Sequence, residues 1–229
     1  MIRTITLSVV LLSLGTAQAQ WVQVGDSANS NINVMEVYNN ELFVGGNMTR
    51  FNGLTTYFSM QYNGSTFSTQ GTLIGGSGFS CFEVYNGALY GGGSMAQSGL
   101  AGTALWNGGS WESGPVSTNN SVNVMAMLNW NNLLVIGGLF TVPTNYIAQY
   151  NGTTSQAMGA GFNNNVFSLA SYNGESYASG AMTLSGSTTL NRIAKWNGAA
   201  WVDVGGGFDN TCGDIVAHDG YLYAAGTFT

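Results

Sequence analysis

One phrase, written five times, constrains this chain more than any other feature. Gly45-Gly46-Asn47-Met48-Thr49, Gly92-Gly93-Ser94-Met95-Ala96, Gly137-Gly138-Leu139-Phe140-Thr141, Ser179-Gly180-Ala181-Met182-Thr183 and Ala225-Gly226-Thr227-Phe228-Thr229 share a pattern of two small residues, a variable one, a Met or Phe, and Thr or Ala. The second glycines, Gly46, Gly93, Gly138, Gly180 and Gly226, are spaced 47, 45, 42 and 46 residues apart. Self-similarity at a fixed period marks a repeat architecture, in which each unit buries its apolar face against its neighbours.

Two further landmarks keep step. An aromatic followed by Asn-Gly recurs at Tyr62, Trp106, Tyr150 and Trp196, at intervals of 44, 44 and 46. An aromatic four residues before a glycine appears as Trp21 to Gly25, Phe67 to Gly71 and Trp201 to Gly205, with a shorter Trp111 to Gly114 in the same slot. The copy ending at Gly159 lacks the aromatic. Within the first period, alternation predicts strands over 33–38, 41–44, 57–62 and 66–70, with turns at Asn39-Asn40 and a tight hairpin at Asn63-Gly64. Four short antiparallel strands in about 45 residues is the arithmetic of a propeller blade. No 3.6-residue apolar period follows residue 19, which argues against helical repeats, and the coils of a β-solenoid are usually shorter than this period. The expected fold is therefore all-β, a β-propeller of four-stranded antiparallel blades. The blades are expected near 33–71, 80–114, 122–159 and 165–205, with a partial blade at 213–229.

The order of landmarks resembles the kelch blade. A strand ends in Gly-Gly (Leu42-Phe43-Val44-Gly45-Gly46), then comes a Tyr or Trp (Tyr62), then a further aromatic (Phe67). The likeness covers residues 21–229 and extends to the wider galactose-oxidase-like group, especially the Gly- and Asn-rich secreted bacterial versions associated with type IX secretion. It implies that the strand opening each repeat is innermost and that residues 21–25 form an outer closing strand in the last blade. Four blades, a half blade and a closing strand leave the ring incomplete, so the sequence reads as a fragment. If complete, its open blade edges predict self-association.

Composition sets the address and excludes several partners. Residues 1–19 combine Arg3, an apolar run and Ala17-Gln18-Ala19, the pattern of a secretory signal peptide cleaved after about Ala19. The expected location is extracellular or on the outer cell surface, with no membrane span. Only 6% of residues are charged, with a formal net charge of −6. Beyond the leader the only basic residues are Arg50, Arg192 and Lys195, too few to neutralise phosphates, so no nucleic-acid partner is expected. Cys81 and Cys212 are compatible with one disulfide or with two buried thiols.

Chemistry-bearing residues are sparse. His218, the single histidine, precedes the turn Asp219-Gly220 and reads as a turn-flanking residue. One histidine is short of the copper ligand set that galactose oxidase uses, and no metal or cofactor is expected. The suggestive pair is Glu36 and Glu83, equivalent in Met35-Glu36-Val37-Tyr38 and Phe82-Glu83-Val84-Tyr85, with Ala126, Ser168 and Val216 expected in the corresponding places. Facing a channel, the two carboxylates have the makings of a ligand site or of an acid and base at a glycoside. Trp130, outside the repeated slots, is the expected exposed aromatic on which a sugar would stack. Connecting loops such as 29–31, 97–103, 116–121, 163–165 and 184–189 are the other expected ligand positions. These features predict a binding or adhesion module for an extracellular glycan or protein, without a catalytic constellation. The alternatives are a carbohydrate-active enzyme using the channel carboxylates, or a passive spacer of a larger surface protein.

Overall fold

A computed structural model describes residues 23–25, 27–70, 76–95, 102–119 and 123–229; the expected leader lies outside them. Among the described residues every regular element is a strand. The first unit holds β1 (Ile32–Tyr38), β2 (Glu41–Gly46), a ribbon of β3 (Arg50–Phe51) and β4 (Leu54–Thr55), then β5 (Ser59–Tyr62) and β6 (Phe67–Thr69). The second holds β7 (Gly76–Tyr85), β8 (Ala88–Met95), β9 (Gly102–Trp106) and β10 (Trp111–Ser117). The third holds β11 (Val124–Trp130), β12 (Leu133–Gly138), β13 (Ile147–Tyr150) and β14 (Ser155–Ala157). The fourth holds β15 (Val166–Tyr172), β16 (Glu175–Gly180), a ribbon of β17 (Leu184–Ser185) and β18 (Thr188–Thr189), then β19 (Ile193–Trp196) and β20 (Trp201–Asp203). A hairpin of β21 (Cys212–His218) and β22 (Tyr221–Gly226) follows. Each of the four units is one antiparallel sheet whose strands pair in chain order once the ribbons are set aside.

Asparagine does two different turn jobs. Asn39 and Asn40 join β1 to β2 with φ of 51° and 62°, the two-residue left-handed turn that matches strand twist. Asn63-Gly64 was expected to be equally tight, but Tyr62 pairs with Phe67, leaving a four-residue loop. The Asn63 side-chain oxygen accepts from the backbone N–H of Ser65 and Thr66, at 3.0 and 2.9 Å. Asn107, Asn151 and Asn197 repeat that geometry. The asparagine therefore acts as an acceptor for orphan amides, not as a left-handed turn residue.

The repeated glycines are set by close approach. A Cβ on Gly46 would lie 2.2 Å from the Asn31 carbonyl oxygen, and on Gly138 2.3 Å from that of Asn123. Gly93, Gly180 and Gly226 meet the same obstacle. In each case the opposing strand is bulged at this point, pressing its backbone onto the glycine. The preceding residue faces the next sheet: a Cβ on Gly45 would meet the Phe82 ring at 2.6 Å, and on Gly137 a Val166 methyl at 2.5 Å.

Apolar clusters lie between sheets. Phe43 of the first sheet joins Phe79, Phe82 and Trp111 of the second, and Cys81 and Tyr90 of the second join Val124, Met127 and Leu134 of the third. Ala126 and Val135 join Val166 and Leu169, and Ala170 and Tyr177 join Cys212 and Ile215. The first strands β1, β7, β11, β15 and β21 accordingly lie side by side in that order. Both cysteines are buried free thiols in different clusters, and burial pushes the Cys81 thiol far up.

A recurrent hydrogen bond ties each sheet to the next. The side chain ending each first strand donates to a carbonyl in the following sheet's two-residue turn. The pairs are Tyr38 Oη to Gly87 (3.0 Å), Tyr85 Oη to Asn132 (2.8 Å), Trp130 Nε1 to Gly174 (2.8 Å) and Tyr172 Oη to Gly220 (2.9 Å). In the opposite sense Trp201 Nε1 donates to Met158 O, and Trp111 Nε1 to Ser59 and Gln70. Residues 21 and 22 of the expected closing strand lie outside the described residues; Gln23–Gly25 forms no strand, and Val24 lines an apolar hollow of about 240 Å³ on the first sheet with Met35, Val44, Met60 and Phe67. Among the described residues β21 and β22 pair only with each other.

Candidate functional site

Glu36 and Glu83 occupy equivalent positions, opposite Phe43 and Tyr90 respectively. They lie on adjacent first strands, close enough for the Glu36 charge to act on Glu83. Burial first, and the Glu36 charge second, push the Glu83 carboxyl up to about 7, although the backbone N–H groups of Asn129 and Val84 donate to it. The pair thus shares a half-buried site in which one carboxyl keeps its proton to near neutrality.

The equivalent residues in the next two sheets differ from expectation. Leu128 and Ala170 hold the place, not Ala126 and Ser168; Val216 holds it in the last hairpin as expected. Counting forward from the expected strand starts at residues 122 and 165 falls two positions short. Ala126 and Ser168 instead sit opposite the small residues Gly137 and Ser179. The carboxylates are therefore local to the first two sheets, followed by apolar residues.

Trp130, expected as an exposed stacking platform, is half-buried in the core between the third and fourth sheets and spends its indole N–H on Gly174. It is in a repeated slot after all, the one held by Tyr38, Tyr85 and Tyr172, which the aromatic landmarks alone did not display. His218 fills the same slot in the last hairpin, exposed, with Nε2 3.2 Å from the Asp219 carboxylate. No group of three or more His, Cys, Asp and Glu side chains poised for a metal occurs among the described residues.

The loops 29–31 and 163–165 are largely occupied with holding the chain. Asn29 Oδ1 accepts from the N–H groups of Thr49 and Arg50, and Asn163 Oδ1 from those of Thr183 and Leu184. Asn119 does the same for Thr141 and Val142.

A polar cleft that the sequence did not announce opens between the first and second sheets at the turn end. It encloses about 290 Å³ and is lined by Tyr38, Asn39, Glu41, Phe43, Gln61 and Trp106. Glu41 and Phe43 lie on the same face of β2, with Gln61 directly opposite Phe43.

No family model matches the chain, and no curated protein matches it. Among solved structures it is similar to the computationally designed Ika8 protein, at 13% identity and a TM-score of 0.49, over 85% of this chain and 68% of that one.

Proposed function

We propose that the four sheets and the last hairpin are blades of a kelch or galactose-oxidase-like β-propeller, exported by its N-terminal leader and serving as an extracellular binding module for a glycan. A protein ligand is the other binding possibility. Support for the propeller comes from the side-by-side succession of first strands and from the intersheet cores and hydrogen bonds that repeat from unit to unit.

The observation that carries the binding reading is a division of labour. The residues that recur are consumed in building the scaffold: the second glycine in the close approach of two strands within a sheet, the turn asparagine in its own loop, and the strand-end donor in the bond to the next sheet. The residues that change from sheet to sheet sit at the ends, where Glu41, Ala88, Leu133, Glu175 and Tyr221 follow equivalent turns. A rigid scaffold with variable ends is the usual arrangement for recognition. A glycan array probed with the full chain should light up for neutral glycans; a blank array sinks the glycan assignment.

The raised Glu83 carboxyl favours a second reading, hydrolysis of a glycoside with Glu83 as acid and Glu36 as the second carboxyl group. Glu36→Gln and Glu83→Gln separate the two. An enzyme loses turnover by orders of magnitude, whereas a lectin keeps its affinity.

A further inference from the structure

We propose that the cleft between the first and second sheets is the sugar site of this module, taking one neutral hexopyranose ring through a vicinal diol. The inference rests on the glycan-binding reading and locates it.

The fourth sheet supplies the comparison. Glu41 and Gln61 in the first sheet stand where Glu175 and Lys195 stand in the fourth, since Phe43 pairs with Gln61 as Tyr177 pairs with Lys195. In the fourth sheet the Lys195 ammonium closes on the Glu175 carboxylate at 3.0 Å, and Tyr177 Oη also donates to that carboxylate. In the first sheet the cation is replaced by an amide. The Glu41 carboxylate then has no hydrogen-bond or ion-pair partner among the described residues, although it is partly buried. Gln61 accepts from Gln70 through its oxygen, which leaves its amide N–H groups as donors. A carboxylate acceptor beside an amide donor, diagonal neighbours across two strands, matches two adjacent hydroxyls, each of which both donates and accepts.

The walls fit the same ligand. Tyr38 and Trp106 line the cleft, and Tyr38 is fixed by its hydrogen bond to Gly87, so a ring face can pack there without ordering a free side chain. A volume of about 290 Å³ is at the lower edge of small-molecule sites, which favours a single ring over a long chain segment. With no basic side chain among the residues that line it, the cleft selects against anionic sugars.

The test uses the full chain and ligand-observed NMR with methyl glucoside, methyl galactoside and methyl mannoside, with sialic acid as the anionic probe. At least one neutral glycoside should bind and sialic acid should not. Gln61→Lys, which copies the fourth sheet and supplies the missing partner to Glu41, should cut affinity about tenfold or more by closing the site, while leaving the fold intact. Glu41→Gln should weaken binding in the same direction. If the array shows binding but Gln61→Lys keeps the affinity of the parent, the site lies elsewhere and this inference fails while the module reading stands. If no neutral sugar binds on the array or in solution, both fall together.

Discussion

The covered sheets and the two outer faces have the same chemistry and opposite surroundings. Phe82, Met127, Leu169 and Ile215, which each face the preceding sheet, are 6, 7, 9 and 4% exposed, whereas Met35 at the same position of the first sheet is 61% exposed. In the other direction Phe43, Tyr90, Val135 and Tyr177 are all under a tenth exposed, while the equivalent Tyr223 is 51% exposed. The repeat therefore writes an apolar residue at each place whether or not a neighbour covers it. Burial, and with it stability, is set by the adjoining sheet.

The sharpest way to break that comparison is to truncate one repeated aromatic in both settings. Trp201 is fully buried between the third and fourth sheets, so Trp201→Ala should cost about 3–5 kcal/mol in urea unfolding. Phe67, its counterpart on the uncovered first sheet, borders the open hollow, and Phe67→Ala should cost about 1 kcal/mol because water already reaches the space it vacates. Equal losses would mean that the first sheet is covered in solution.

The carboxyl pair gives the next effect. Glu83 is raised in the fold, so the native state holds a proton that the unfolded chain releases. Its ionisation leaves stability intact below about pH 4.5 and erodes it as pH rises towards about 7. Glu83→Gln should therefore match the parent near pH 4 and exceed it by about 1 kcal/mol near pH 8, allowing for partial exposure of the site. Glu36→Gln, acting from the first sheet, should lower the Glu83 midpoint in a carboxyl NMR titration. An unchanged midpoint would show that the second sheet does not sense the first.

The smallest effect tests the strand-end donors. Tyr85→Phe removes one donor to Asn132 and should cost about 0.5–1.5 kcal/mol by thermal unfolding. His218→Ala, in the slot whose side chain contacts only the adjoining Asp219 among the described residues, should be neutral. A large loss there would reveal a partner for the last hairpin.

Much of this architecture was legible because the strongest constraints act on residue identity. A backbone oxygen lying where a Cβ would go admits only glycine, so Gly46 and its four counterparts stand out in the sequence. Strands and their two-residue turns followed from alternation and asparagine. The ribbons β3–β4 and β17–β18 did not, because two-residue strands carry no alternation to read. Trp130 was misplaced because its slot is defined by a hydrogen bond to a turn 44 residues away, which a tryptophan and three tyrosines satisfy equally. The cleft was invisible for a related reason. Glu41 and Gln61 become significant only once strand register sets them beside the pair that neutralises itself in the fourth sheet.

The strand-end donors all reach the same way, from one sheet to its successor. Copying or excising one whole period would leave every internal donor with an acceptor and disturb only the outermost arm. Such a chain can change length in units of one sheet without redesigning a junction, because one bonding rule serves every junction.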